Sequence, residues 1–373
     1  MRIAWDAKRA FFNTTGLGNY SRDLIRMMGK YYPKQEYFLC TPSIKNIKNN
    51  SFYQNTVKDK MHLMHPSFLQ NGAYWRSKGI KKDLEKNNIA IYHGLSNEMP
   101  FIHSANTKFV VSIHDLIFKH FPDHYPSLDR KIYEKKVAFV CKNADLILAM
   151  SEHTKKDILN FYSIPEEKIQ VQYQGVHPIF KTNTSKYDKE EFRKKYGLPK
   201  NFTLMLSAFQ ERKNHKLVLQ ALKSLKDKNV FLVLAGKKGK MYDKVMEWVK
   251  EWNLEKHVAI LTDLNVQGIN ILYELANLCI QASHYEGFGI PVLEALTKKK
   301  ACLLADNSSF PEIAKDAAWY FAPNNLEELR EKWLILWNSQ DDRNNLIQEI
   351  NITAFEEVHL SKKLQSYYKN LFN

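Results

Sequence analysis

Residues 285–296 read Tyr285-Glu286-Gly287-Phe288-Gly289-Ile290-Pro291-Val292-Leu293-Glu294-Ala295-Leu296. The apolar, β-rich run Cys279–Gln281 precedes this stretch and a helical pattern follows it, so it reads as a strand-to-helix junction. Pro291 suits the first helical position, where a missing N–H is no loss. Gly287 and Gly289 let the backbone approach a ligand closely. The amides of the turn and helix start, Gly289 and Ile290 among them, can then face a diphosphate. Glu286 and Glu294 flank the turn, and ionised carboxylates accept hydrogen bonds from sugar hydroxyls. Read for the helix alone, Glu294 is only a favourable charge near its N-terminus.

Outward from this junction, short apolar runs alternate with helical periods in both directions. This pattern predicts parallel sheets with crossover helices. The strand candidates of the first half are Arg2–Asp6, Tyr37–Thr41, Ile89–His93, Phe109–His114, Leu146–Met150 and Ile169–Tyr173. Those of the second half are Thr203–Ala208, Val230–Ala235, Val258–Leu261, Cys279–Gln281 and Ala301–Ala305. Between the halves, Lys181–Lys189 has no apolar face to bury and reads as a linker. The fold class is therefore α/β, with two doubly wound domains at 1–178 and 179–354. Residues 355–373 form a terminal amphipathic helix that crosses back to the first domain.

The 373 residues exceed one ordinary core, which agrees with two domains. No run approaches the roughly 20 apolar residues of a spanning helix, and Met1–Asp6 already reads as a strand where a signal peptide would lie. Cys40, Cys141, Cys279 and Cys302 have neither metal-ligand nor disulfide-scaffold spacing, so buried thiols in a reducing cytosol are expected. The net charge of +15 favours anionic partners, but no nucleic-acid module accompanies it. Trp75-Arg76-Ser77-Lys78-Gly79-Ile80-Lys81-Lys82 mixes apolar residues with cations. Two readings stand. Trp75, Ile80 and Leu84 form an edge for an anionic membrane, or Trp75 and Leu84 are buried and the lysines merely solvated.

Other strand ends carry chemistry. Glu211-Arg212-Lys213-Asn214-His215 puts adjacent cations before a helix, where they can hold a pyrophosphate. Gly16-Leu17-Gly18-Asn19-Tyr20 is a glycine turn lacking the third glycine of a dinucleotide fingerprint. His114-Asp115 ends a strand on the ligand side of its sheet, and His93-Gly94 ends another that lines the same cleft. An imidazole at His114 can donate to a sugar hydroxyl or hold an acceptor as charge builds, although a lone histidine is more often structural. Ser151 suits a helix cap. Asn307 and Ser308 either approach a base or only shape a loop.

Glu286 and Glu294, with Gly-Phe-Gly-Ile-Pro between them, resemble the paired-glutamate motif of the family-4 glycosyltransferases. The resemblance runs from the first strand past Pro323. It implies the GT-B fold, two Rossmann-like domains facing across a cleft, and sugar transfer with retention of anomeric configuration. It also implies that Glu286 contacts the transferred sugar and Glu294 the ribose. Arg212 and Lys213 would bind the donor phosphates, the loop of Gly16 and Gly18 would close over them, and His114 would stand beside the sugar. The segment departs from the family's Pro-Arg-Lys-Asn in having Glu211 before Arg212. The catalytic candidates are thus His114, Glu286 and Lys213. The donor-binding candidates are Gly16, Gly18, Arg212, Lys213, Gly287, Phe288, Gly289, Ile290 and Glu294.

The expected activity moves a hexose, mannose first, from GDP-mannose or a UDP-sugar to a saccharide or lipid-linked saccharide in surface polysaccharide synthesis. No cofactor and no metal are expected, since an Asp-x-Asp motif is absent and the site is cationic. The expected location is the cytoplasm, with peripheral contact at the inner face of an anionic membrane. An epimerase or phosphorylase of the same fold, or a non-catalytic nucleotide-sugar-binding protein, stays open as an alternative.

Overall fold

β-Branched and aromatic runs too short for helices become central parallel strands, and the amphipathic segments between them become the crossovers. The computed structural model describes residues 1–67 and 70–373. The chain divides into two units, Met1–Gly175 with Ala354–Asn373, and Val176–Thr353. The first holds β1 (Arg2–Asp6), β2 (Glu36–Cys40), β3 (His62–Met64), β4 (Ile91–Gly94), β5 (Lys108–Ile113), β6 (Leu146–Ala149) and β7 (Ile169–Val171). These form one parallel sheet in the order β3-β2-β1-β4-β5-β6-β7. The second unit holds β8 (Thr203–Leu206), β9 (Leu232–Ala235), β10 (Val258–Leu261), β11 (Leu278–Gln281), β12 (Ala301–Ala305) and β13 (Ala318–Phe321). Its sheet is also parallel, in the order β10-β9-β8-β11-β12-β13.

Two strands lay outside the expectation. β3 has three residues, too few for any period to show, and β13 is an edge strand whose central residues are only half-buried. The expected linker is half helix, because Lys186–Lys195 is helical. No residue of that helix is buried. It is held instead by its Ser185 cap and by Glu274, which pairs with Lys189 at 3.1 Å and accepts from Thr184 N at 3.0 Å.

Of the two readings at Trp75, the buried one describes the structure, and Trp75, Ile80 and Leu84 form no apolar edge. Trp75, Ile80 and Leu84 are fully buried in the core of the first unit. The Trp75 indole donates to Asp83 at 2.6 Å, and Lys78, Lys81 and Lys82 are left in solvent. Among the described residues no helix is long and apolar enough to cross a membrane. All four cysteines are buried and free. The terminal helix, Glu357–Asn370, packs on the first unit, where Glu357 pairs with Arg26 and Gln172 Nε2 donates to the Leu360 carbonyl at 3.2 Å.

Candidate active site

Each sheet reverses its order once, between β1 and β4 and between β8 and β11. Loops leaving such neighbouring strands part in opposite directions and leave a crevice, where open α/β sheets take their ligands. The sequence candidates sit around these two points.

In the second unit, β8 leads into a 3₁₀ turn, Glu211–Lys213, and then the helix His215–Leu225. Asn214 joins them in a left-handed conformation (φ 55°), which asparagine tolerates. The His215 ring stacks on Phe209 at 4.9 Å, with Nε2 3.0 Å from Ser207 Oγ, so the turn is anchored from behind. Burial, with Lys213 adding, lowers His215 to about 3, and the ring is neutral. The loop after β11 is tied to this turn by His284 N, which donates to the Arg212 carbonyl at 2.7 Å.

Glu286 meets both cations across that tie. Arg212 Nη1 lies 3.0 Å from Oε2, and Lys213 Nζ pairs with Oε1. The same Arg212 nitrogen donates to the Tyr285 carbonyl at 2.9 Å. Lys213 and Glu286 are both buried. Burial alone would raise the Glu286 carboxyl. Arg212 and then Lys213 outweigh it and hold the group at about 2, so it is ionised at neutral pH.

Two serines of the loop after β12 fix this glutamate: Ser309, and Ser308, which the sequence reads as near a base or as a loop residue. Ser308 Oγ accepts from Glu286 N at 3.0 Å, and Ser309 Oγ donates to the Glu286 carbonyl at 3.2 Å. Ser308 is thus a support for Glu286. Gly289 has φ 105°, and a Cβ there would stand 3.1 Å from the Phe310 ring, so glycine is required on both counts. Gly287 and Phe288 are buried beside it. The helix Ile290–Thr297 follows, with Pro291 in its first turn. Glu294 is the fifth helical residue, one step past the first turn, and accepts from the Tyr273 hydroxyl at 2.9 Å.

In the first unit, His114 follows β5. Its Nε2 is 2.8 Å from the Leu95 carbonyl, and its backbone N–H donates to Asn97 at 2.8 Å. A carbonyl only accepts, so Nε2 carries the hydrogen. Burial lowers the ring to about 4, against the Leu95 bond and with Arg9 adding, which leaves a neutral imidazole. Nδ1 is then a lone pair. The expectation that this ring donates to a sugar hydroxyl is corrected: its donor is used by Leu95, and it offers an acceptor. His114 lines a cavity of about 220 Å³ with Arg9, Asn97, Asp115 and Tyr133.

Gly16 and Gly18 are not a loop. They lie in the first turn of the helix Gly16–Tyr31, after a short helix, Lys8–Phe12. A Cβ at Gly18 would stand 1.9 Å from the Asn13 carbonyl, whereas Gly16 faces open space. Close packing explains the first. Nor does His93 line a cleft. It is fully buried, with Nδ1 2.7 Å from the Tyr368 hydroxyl and Nε2 2.8 Å from Ser112 Oγ. Trp5 Nε1 donates to Tyr368 at 3.1 Å, and Ser112 Oγ meets the Tyr20 hydroxyl at 2.7 Å. The Tyr20 ring in turn packs at right angles to His114, 4.6 Å away. A buried polar chain therefore runs from the terminal helix to the back of His114. Ser151 caps the helix Glu152–Phe161, as its position predicts.

Two family models match the chain. One, described as Glycosyltransferase Family 4, matches residues 15–179, and the other, described as Glycosyl transferases group 1, matches residues 188–351. O-antigen chain mannosyltransferase B of Escherichia coli is 23% identical over 366 residues, covering 92% of this chain and 91% of that protein. O-antigen chain mannosyltransferase RfbU of Salmonella typhimurium is 24% identical over 295 residues, 79% of this chain and 75% of that one. Among solved structures, Anabaena HepE in complex with UDP and glucose superposes with a TM-score of 0.74 at 15% identity, over 99% of each chain. WaaG, a glycosyltransferase involved in lipopolysaccharide biosynthesis, does so with a TM-score of 0.72 at 18% identity, also over 99% of each. The fold is GT-B.

Proposed function

This chain belongs to the family-4 glycosyltransferases, and we propose that it moves a hexose, mannose first, from a nucleotide diphosphate sugar to a saccharide or lipid-linked saccharide, with retention and without a metal. The observation that carries this reading is the meeting of Arg212 and Lys213 on Glu286 at the switch point of the second sheet. Both cations rest on a carboxylate that stays ionised. A diphosphate arriving there offers them a second anionic partner, and the Glu286 oxygens can then accept from sugar hydroxyls.

As the anomeric bond breaks, negative charge builds on the departing phosphate and positive charge on the sugar ring. Arg212, Lys213 and the amides at the start of the helix Ile290–Thr297 meet the first; Glu286 meets the second. Glu294, held by Tyr273, is assigned to the ribose. The second unit is the donor side in this reading. The first is the acceptor side, with His114 Nδ1 accepting a hydrogen bond from a sugar hydroxyl. GDP-mannose is favoured because relatives over most of the chain are mannosyltransferases. UDP-sugars come next, since HepE is solved with UDP and glucose.

The test is turnover of GDP-mannose and a panel of UDP-sugars by the purified chain, with and without saccharide acceptors, and the product's anomeric configuration read by NMR. Acceptor-dependent transfer with retention is the expected result. Donor conversion without an acceptor would mean an epimerase, and failure to bind any nucleotide sugar would end the reading.

A further inference from the structure

Beside the His114 cavity, in the same unit, lies a second cavity of about 400 Å³ lined by Asp6, Lys8, Arg76, Tyr92, Glu98 and Phe101. Glu98 and Lys136 line both cavities, and Lys136 Nζ donates to Glu98 Oε2 at 2.6 Å. This ion pair is the wall between them. Both cavities lie at the switch point of the first sheet: Asp6 ends β1, and Glu98 follows β4.

Two observations say what the second cavity takes. Tyr92 lines it, and the Tyr92 hydroxyl is buried without a hydrogen-bond partner among the described residues. Buried tyrosine hydroxyls ordinarily find a partner, because an unpaired one has given up its bond to water. Of the lining cations Arg76 and Lys136, unlike Lys8, are already neutralised. Arg76 Nε donates to Asp6 at 2.8 Å, and Arg76 Nη2 reaches Glu98 at 2.5 Å while also pairing with Asp6. An anionic ligand would have to break these pairs. A neutral polyol joins them, since carboxylate oxygens accept from its hydroxyls and Tyr92 donates. Phe101, 43% exposed, offers a flat apolar face to a sugar ring.

Resting on the transferase reading above, we infer that the second cavity is an acceptor subsite. The sugar that is extended sits against His114, and the next sugar lies across the Glu98–Lys136 wall. The acceptor is a neutral oligosaccharide of two or more sugars. The test uses the full chain and saturation-transfer NMR. The probes are methyl glycosides of mannose, glucose, galactose and N-acetylglucosamine, and the α- and β-linked homodisaccharides of each.

The disaccharide of the recognised sugar is expected to bind at least about tenfold more tightly than its monosaccharide. Tyr92→Phe removes only an unpartnered hydroxyl, so the fold survives it, and with Phe101→Ala as a second variant it brings that ratio toward one. Three results overturn the subsite: equal affinities in the parent protein, a ratio untouched by both variants, or no binding by any probe. The cavity then holds water only. Nucleotide-sugar turnover on the same preparation reports on the underlying reading separately. Turnover with an affinity ratio of one sinks the subsite alone, whereas absent turnover sinks the transferase.

Discussion

Glu286 sits where burial would neutralise a carboxylate, and Arg212 and Lys213 keep it charged. Lys213→Ala removes one of the two, and with it a donor proposed for the leaving phosphate. Transfer should fall about 100- to 1,000-fold, read as kcat at saturating donor, while the fold holds on circular dichroism. Full activity would remove Lys213 from the site. The same pairing sets a pH dependence. The Glu286 value in the folded protein, about 2, lies below the usual 4.5, so the pair stabilises at neutral pH and that contribution fades as pH falls from about 4.5 to about 2. In Lys213→Ala the folded value moves back toward 4.5, so this acid-dependent loss should be smaller and end at higher pH, which urea unfolding at several acid pH values would show. His114 carries a second prediction. With its ring held to about 4 by burial, the transfer rate should run flat through pH 6.5. An acid limb at 6.5 that His114→Asn abolishes would contradict the neutral ring.

The terminal helix Glu357–Asn370 is joined to the first sheet by a hydroxyl. Tyr368→Phe leaves the Trp5 indole and His93 Nδ1 without their shared partner, and stability should drop by about 1–3 kcal/mol, measured by urea unfolding. A neutral result would mean that the buried chain has another closure. None of this was legible beforehand, because an aromatic at helical spacing looks the same whether its hydroxyl is bonded or idle. Lys213 and Glu286 were legible singly, each standing where a strand hands over to a helix. Their contact was not. They are 73 residues apart, and they meet only because β8 lies beside β11, an ordering that no local pattern carries. Gly16 and Gly18 differ from the expectation only in their conformation: a short helix intervenes after the strand, and the pair opens the next helix where a loop was expected.

Across the whole molecule, burial works against charge, and on histidine that means against the proton. His93, His114 and His215 are all lowered by burial, to about 3, 4 and 3, from the ordinary 6.5. The unfolded chain takes up these protons first, so stability should decline as pH falls below about 6.5 toward 4, with contributions from both units. A urea midpoint unchanged between pH 7 and pH 4.5 would contradict that account. The net charge of +15 is not gathered into an apolar edge at Trp75, because Trp75, Ile80 and Leu84 are core. Some of the cations instead serve as ligands to buried carboxylates, as Arg76, Arg212 and Lys213 do. The central claim is that the second unit holds the donor's diphosphate. Hydrogen exchange of the full chain, with and without saturating nucleoside diphosphate of the donor it turns over, addresses it most directly. The account predicts slowed exchange at residues 207–215 and 285–294; protection confined to residues 1–175 would contradict it.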